Sequence, residues 1–231
     1  MKSYRCILFD LDHTLWDYDT NSSETLQELY QDYQLQQKGI SSFSVFHETF
    51  IEINTKLWEQ YDLGIIGRDA IRFERFHGIL SKLGIDDVDL SLTLSDEYVA
   101  HSPKKSRLMP NAMEVLDYLK DRYPMTIVTN GFEEIQYTKL NASGLTPYFK
   151  NVVTSARAGH KKPAKEIFEF ALNESGFQSH EAVMIGDNLL TDIGGAHNAS
   201  VDTVFFNPNK IIHEGKPQYE IHDLKQLLDI L

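Results

Sequence analysis

Apolar residues gather along this chain in two ways: short unbroken runs, and longer rhythms of three and four. Residues 4–9 form the first run and meet Asp10 at its end. Residues 125–128, 182–185 and 203–206 repeat the pattern, and 151–154 is a weaker instance. Short apolar runs without polar alternation predict strands covered on both faces. Helical rhythms lie between them. Pro110-Asn111 precedes residues 112–122, where Val115, Leu116 and Leu119 share one face. Residues 133–143 stop at Gly144, and residues 165–175 follow Pro163 and stop at Gly176. Glycine just past a helix end is a stop signal, because it adopts the left-handed turn that closes the helix. Strands alternating with helices of this length predict βαβ crossovers and a doubly wound, Rossmann-like parallel α/β sheet. Leu224, Leu227, Leu228 and Leu231 predict a closing helix.

Residues 16–102 break that alternation, with no buried-strand run among them. Asn21 with Glu24 three residues on is a capping-box signal for a helix running towards Gly39. Phe43, Phe46, Phe50, Ile53, Leu57 and Tyr61 recur at helical spacing and predict one buried face. A third helix is predicted over 69–83, stopped by Gly84, and a fourth over 90–100. The expected organisation is an α/β core from residues 1–15 and 103–231, with a helical subdomain at 16–102 inserted after the first strand. No internal repeat or low-complexity tract interrupts it.

Composition narrows the classes. The 231 residues are 42% hydrophobic and 24% charged, which is ordinary for a folded soluble domain and excludes general disorder. A net charge of −12 disfavours binding to a phosphate backbone, so no nucleic-acid partner is expected. Cys6 is the single cysteine and cannot pair within the chain, which fits a reducing compartment. The first apolar run is short and meets aspartates at once, unlike a signal peptide or a membrane span. A cytoplasmic protein without membrane partners is expected. The nine histidines show no zinc-ligand spacing.

The chemistry sits where strands end. In a parallel α/β sheet, ligands bind beyond the carboxyl ends of the strands. The first strand delivers Asp10-Leu11-Asp12-His13-Thr14, two carboxylates that repel unless they share a cation or a proton. A later strand delivers Gly186-Asp187, with Asp192 five residues on. Clustered hard oxygens suit Mg²⁺. Thr129-Asn130-Gly131 offers a hydroxyl and backbone amides where a helix begins, a natural anion cradle. Lys162 before Pro163 adds a cation. Together these predict a site for a phosphate and a metal.

The ordered set Asp10-x-Asp12-x-Thr14, Thr129-Asn130, Lys162-Pro163 and Gly186-Asp187-x-x-x-x-Asp192 resembles the haloacid dehalogenase (HAD) superfamily. The likeness spans essentially the whole chain, and the insertion resembles that superfamily's helical cap. The resemblance implies Asp10 as nucleophile, forming an aspartyl phosphate, and Asp12 as general acid and base. It implies Thr129 and Asn130 as phosphate-binding residues, and Lys162 as the lysine that orients the nucleophile and neutralises charge. It implies Mg²⁺ held by Asp10, Asp187 and the backbone carbonyl of Asp12, with Asp192 behind them. Lys161 stands beside Lys162 as the competing choice, although the proline register favours Lys162. Asn54-x-x-Leu57-Trp58-x-x-Tyr61, Arg72-Phe73, the extension of the first motif to Leu15-Trp16, and Thr129-Asn130-Gly131-Phe132 resemble pyrimidine 5′-nucleotidases of the YjjG/YfnB type. The substrate this implies is a small phosphomonoester, a nucleoside monophosphate, hydrolysed by a monomer or homodimer.

Each motif has a plainer reading. A lone Asp-x-Asp is usually a turn or a cap, Asp192 can simply cap a helix, and Trp58 and Tyr61 suit cap packing better than base stacking. Trp16, where the chain leaves for the insertion, is a candidate substrate contact. Competing functions are a sugar-phosphate phosphatase or phosphomutase, a 2-haloacid dehalogenase, which lacks the second aspartate of Asp10-x-Asp12 and needs no metal, and a non-catalytic binding protein.

Overall fold

A computed structural model of the chain describes residues 4–231. Among the described residues six strands form one sheet: β1 Cys6–Phe9, β2 Met125–Thr129, β3 Asn151–Thr154, β4 Ala182–Gly186, β5 Asp202–Phe206 and β6 Tyr219–Ile221. All pairings are parallel, in the order β3-β2-β1-β4-β5-β6. The order reverses beside β1, and such a switch point leaves a crevice beyond the strand ends. Residue alternation distributes the strand side chains between two cores. Ile7 and Phe9, Ile127, and Val183 and Ile185 enter one cluster, with Leu116 and Leu119 from a helix. Cys6 and Leu8, Val128, and Ala182 and Met184 enter the other, with Phe168 and Leu172. Burial of both faces is why the strands read as unbroken apolar runs.

The helices are α1 Tyr18–Asp32, α2 Phe43–Asp62, α3 Arg68–Lys82, α4 Val88–His101, α5 Ala112–Leu119, α6 Glu133–Ala142, α7 Ser155–Ala158, α8 Lys165–Ser175 and α9 Gly195–Asn198. The chain divides into two compact units. One comprises Met1–Tyr18 and Ser106–Leu231 and carries the sheet; the other is Asp19–Lys105 and is helical. The helical unit has its own core, built from Phe46, Phe50, Phe76, Ile79, Leu94 and Tyr98 among others. Phe46, Phe50, Leu57 and Tyr61 are buried along α2, as their spacing predicts.

Two expectations need correction, and one strand has no counterpart in the sequence pattern. Asn21 is buried inside α1, which begins at Tyr18 and ends at Asp32, well before Gly39. Its capping-box pattern is coincidental, because the helix is set by the buried stripe Thr25, Leu26 and Leu29. The closing leucines form a short 3₁₀ segment, Leu224–Asp229, started by Asp223, rather than the expected α-helix. The edge strand β6 is only three residues long with one side chain buried, and carries no apolar run to read.

Candidate active site

The site grows from the ends of β1, β2 and β4. Asp10 follows β1 directly, and its amide still donates to Ile185 O at 2.9 Å, so the backbone is held by the sheet ladder. Its Oδ1 accepts from Lys162 Nζ at 2.5 Å. The same ammonium donates to Asp192 Oδ1 at 2.6 Å, and Lys162 is only 3% exposed. Asp187, at the end of β4, accepts from the buried hydroxyl of Thr14 at 3.0 Å. Asp10, Asp187 and Asp192 each bring one carboxylate oxygen within 4.8 Å of the others.

Local backbone geometry puts Asp192 there. Asn188 Oδ1 accepts the amides of Leu190 and Thr191, at 2.9 and 3.0 Å. A wide π-type turn over Leu189–Gly194 then swings Asp192 back beneath Gly186. A Cβ on Gly186 would lie 2.3 Å from Asp192 Oδ2, so this close approach needs glycine. Turns of this kind recur at functional sites.

The electrostatics follow from three acids facing one buried cation. Burial raises Asp10 well above the carboxylate range, and Asp192 and Asp187 push the same way against the pull of Lys162. Burial, then Asp192, pushes Asp187 up to about 7, while the Thr14 hydrogen bond opposes. Burial works against the charge of Lys162, but Asp10 and Asp192 outweigh it and hold the ammonium above its usual range. Three hard oxygen donors with a negative excess fit a divalent cation such as Mg²⁺.

Asn130 ties β2 to this group. Its Nδ2 donates to Lys162 O at 2.9 Å and its Oδ1 accepts the Lys162 amide at 2.8 Å. Thr129 Oγ1 accepts from the Gly131 amide at 3.0 Å. Of the two tandem lysines, Lys162 reaches the acids, whereas Lys161 is half-buried beside it.

The side chains of Asp12 and Trp16 stand apart from this acid cluster. The Asp12 carboxylate stands outside the acid cluster and is bound by Lys139 Nζ at 2.5 Å and Gln136 Nε2 at 3.0 Å. Burial works to raise Asp12, but the Lys139 charge and the two hydrogen bonds hold it below the usual range. Trp16 is 0% exposed and sits in the main core, so it offers no surface for a substrate contact; the geometry that reads as a hinge is a packing position. In the helical unit, Phe73 is 53% exposed and Arg72 pairs with Asp96, while Arg75 and Phe76 are buried. Trp58 is half-buried, edge-on to Tyr61 at 5.5 Å.

Thr14, Gln136 and Lys139 complete the site but carry no assigned role in the sequence reading. Thr14 stands in the first motif. Gln136 and Lys139 follow Thr129-Asn130-Gly131, but polar residues three apart on a helix ordinarily face solvent, so no signal in the sequence singles them out.

Comparison with known proteins meets this geometry. The sequence profile of the haloacid dehalogenase-like hydrolases matches residues 4–200. Pyrimidine 5′-nucleotidase PynA of Streptococcus pneumoniae is 32% identical, over 99% of this chain and 95% of its own length. A glyceraldehyde 3-phosphate phosphatase of Pyrococcus furiosus is 36% identical over 100% of this chain and 94% of its own. The crystal structure of the HAD-hydrolase YfnB from Bacillus subtilis, bound to magnesium, superposes with a TM-score of 0.90 at 31% identity, covering 100% of this chain and 99% of that one. A six-stranded parallel sheet, acids at two adjacent strand ends and full-length relatives agree: the chain is an enzyme of the haloacid dehalogenase-like hydrolase family.

Proposed function

We propose that this enzyme is a Mg²⁺-dependent phosphomonoester hydrolase that uses Asp10 as its nucleophile and acts on nucleoside monophosphates, pyrimidine ones above all. The observation that carries the reading is the contact of Asp10 with the buried ammonium of Lys162, beside two further carboxylates. In this reading a free oxygen of Asp10 attacks phosphorus and the P–O bond to the alcohol breaks. Asp12, a carboxylate beside Lys139 in the free enzyme, takes up a proton when the phosphate dianion binds next to it and gives that proton to the departing oxygen. Water then attacks the aspartyl phosphate, Asp12 takes a proton back, and inorganic phosphate leaves. Lys162 offsets the charge of attacker and phosphate, and Thr129 with the amides after it cradles phosphate oxygens. Asp10, Asp187 and the Asp12 carbonyl would hold Mg²⁺, which when bound offsets the repulsion between a carboxylate and a phosphate. Asp192 keeps Lys162 charged and in place.

The nucleotide preference is supported by the full-length likeness to PynA. A sugar-phosphate phosphatase is the second reading, favoured by the Pyrococcus furiosus relative. The helical unit is the proposed cap, and a cytoplasmic setting is consistent with buried, unpaired Cys6. No helix among the described residues is long and apolar enough to cross a membrane.

Two measurements test the reading. Asp10→Asn is expected to fold and show no turnover, because an amide cannot act as an anionic nucleophile; a rate above a few per cent of wild type rules out the covalent route. Specificity constants for UMP and CMP are expected to exceed those for ribose 5-phosphate. A tenfold preference for the sugar phosphate, about 1.4 kcal/mol at the transition state, selects the second reading.

A further inference from the structure

Helix α6 starts directly after the Thr129-Asn130-Gly131 turn, and two polar side chains on it face inward. Gln136 is 1% exposed and Lys139 5%. Residues three apart share a helix face, so both reach the same place. A lysine ammonium is not buried without something to answer its charge. Here the answer is Asp12. Lys139 Nζ takes Oδ1 at 2.5 Å and Gln136 Nε2 takes Oδ2 at 3.0 Å. With one donor on each oxygen, both the plane and the direction of the carboxylate are fixed.

The surroundings hold the donors as firmly. The Lys139 ammonium lies 4.4 Å from the Trp16 ring centre and 5.7 Å from that of Tyr18, the geometry of cation–π contact. Gln136 Oε1 is buried with no partner among the described residues, so the amide is oriented by Asp12 rather than by its own full satisfaction. Gly131 makes the room, since a Cβ there would lie 1.6 Å from Gln136 Nε2. The hydrogen bonds of Gln136 and Lys139 go to Asp12, while Lys162 binds Asp10 and Asp192.

We propose that Gln136 and Lys139 are positioning residues for Asp12, aiming its carboxylate at the leaving oxygen of the ester. The inference rests on the phosphatase reading and adds two residues that it lacks. Orientation matters here because proton transfer to a departing oxygen is sensitive to small misplacement. In the first step it matters only where the leaving oxygen needs a proton, whereas the later attack of water on the aspartyl phosphate uses Asp12 for every ester. A primary alkoxide, as from UMP or ribose 5-phosphate, needs one; p-nitrophenolate does not.

The test is a leaving-group contrast on the full-length enzyme. Lys139→Met is expected to lower the single-turnover rate of alcohol release from UMP and ribose 5-phosphate by about tenfold or more, with the single-turnover rate of p-nitrophenolate release within about threefold. Lys139→Arg, which keeps the donor and its charge, is expected to restore most of the alkyl-ester rate. In an Asp12→Asn background, Lys139→Met should have no further effect, because residues acting through one another are not additive. Gln136→Leu removes no charge and reads the same contrast should Lys139→Met fail to fold. Equal losses on aryl and alkyl esters, unchanged alkyl-ester rates, or additivity with Asp12→Asn would each overturn the proposal. Wild type inactive on all three esters would instead sink the phosphatase reading itself.

Discussion

Lys162 answers two buried carboxylates with one ammonium, and that ratio fixes what its loss would do. Lys162→Met leaves Asp10 and Asp192 as neighbouring acids with no cation. Breaking a buried pair from one side costs about 3–5 kcal/mol, because the remaining charge is unanswered. Urea unfolding of the metal-free protein should show a loss of that size, and turnover should fall by about 10²-fold or more. A variant as stable as wild type would mean that water reaches the site freely. Cys6 gives a quieter residue-scale prediction. Burial, then the nearby Glu181, pushes its thiol up to about 12 against the weaker pull of Arg5, and the side chain is 1% exposed. The thiolate is the reactive form. A chromogenic disulfide reagent at neutral pH should therefore leave Cys6 untouched in the native protein and label it fully in denaturant. Labelling of the native protein within minutes would show that the first strand opens readily.

At the scale of elements, two glycines mark where one segment must pass close to another, and they should differ in cost. A Cβ at Gly131 meets the far end of Gln136, which can swing aside. A Cβ at Gly186 meets the Cβ of Asp192 at 2.6 Å, and that atom is fixed by the turn that carries it. Gly186→Ala is expected to cost about 1–3 kcal/mol as an overpacked site, and Gly131→Ala clearly less while still lowering the alkyl-ester rate. Denaturation midpoints of the two variants side by side check the order, and the reverse order would mean that the Asp192 turn yields. The same elements show what was legible in the sequence. Strands β1, β2, β4 and β5 could be read because both faces are covered and the runs are unbroken. Helix α8 could be read because Pro163 and Gly176 bracket it. Strand β6 could not, since a three-residue edge strand carries no periodicity, and the start of α1 was misplaced because a capping pattern also fits a helix interior. Asp10, Lys162, Asp187 and Asp192 could be seen as a group because each follows a strand or precedes a helix of recognisable pattern. The attachment of Asp12 to Gln136 and Lys139 could not, since polar residues three apart on a helix ordinarily face solvent.

At the scale of the whole molecule, the two compact units carry one tryptophan each, which makes them separately observable. Trp16 is fully buried in the core beneath the sheet, beside Lys139, and Trp58 is half-buried in the helical unit. Acrylamide should therefore quench Trp58 and spare Trp16, as Trp58→Phe and Trp16→Phe variants can show. The acid cluster lies wholly within the sheet-bearing unit, so a bound divalent cation stabilises that unit first. A ligand that binds only the folded form adds about 2.7 kcal/mol at a hundredfold excess over its Kd. For a protein of this size that is a rise of about 5–10 °C in melting temperature. In Trp58→Phe, the Trp16 transition is expected to move up by that amount with saturating Mg²⁺. It should stay within about 1 °C of its metal-free value in Trp58→Phe/Asp187→Asn, because the second carboxylate that would hold the ion is gone. A Trp16 transition indifferent to Mg²⁺ in the parent would mean that Lys162 alone balances the three acids. The hydrolase would then have to meet the charge of its substrate without a metal.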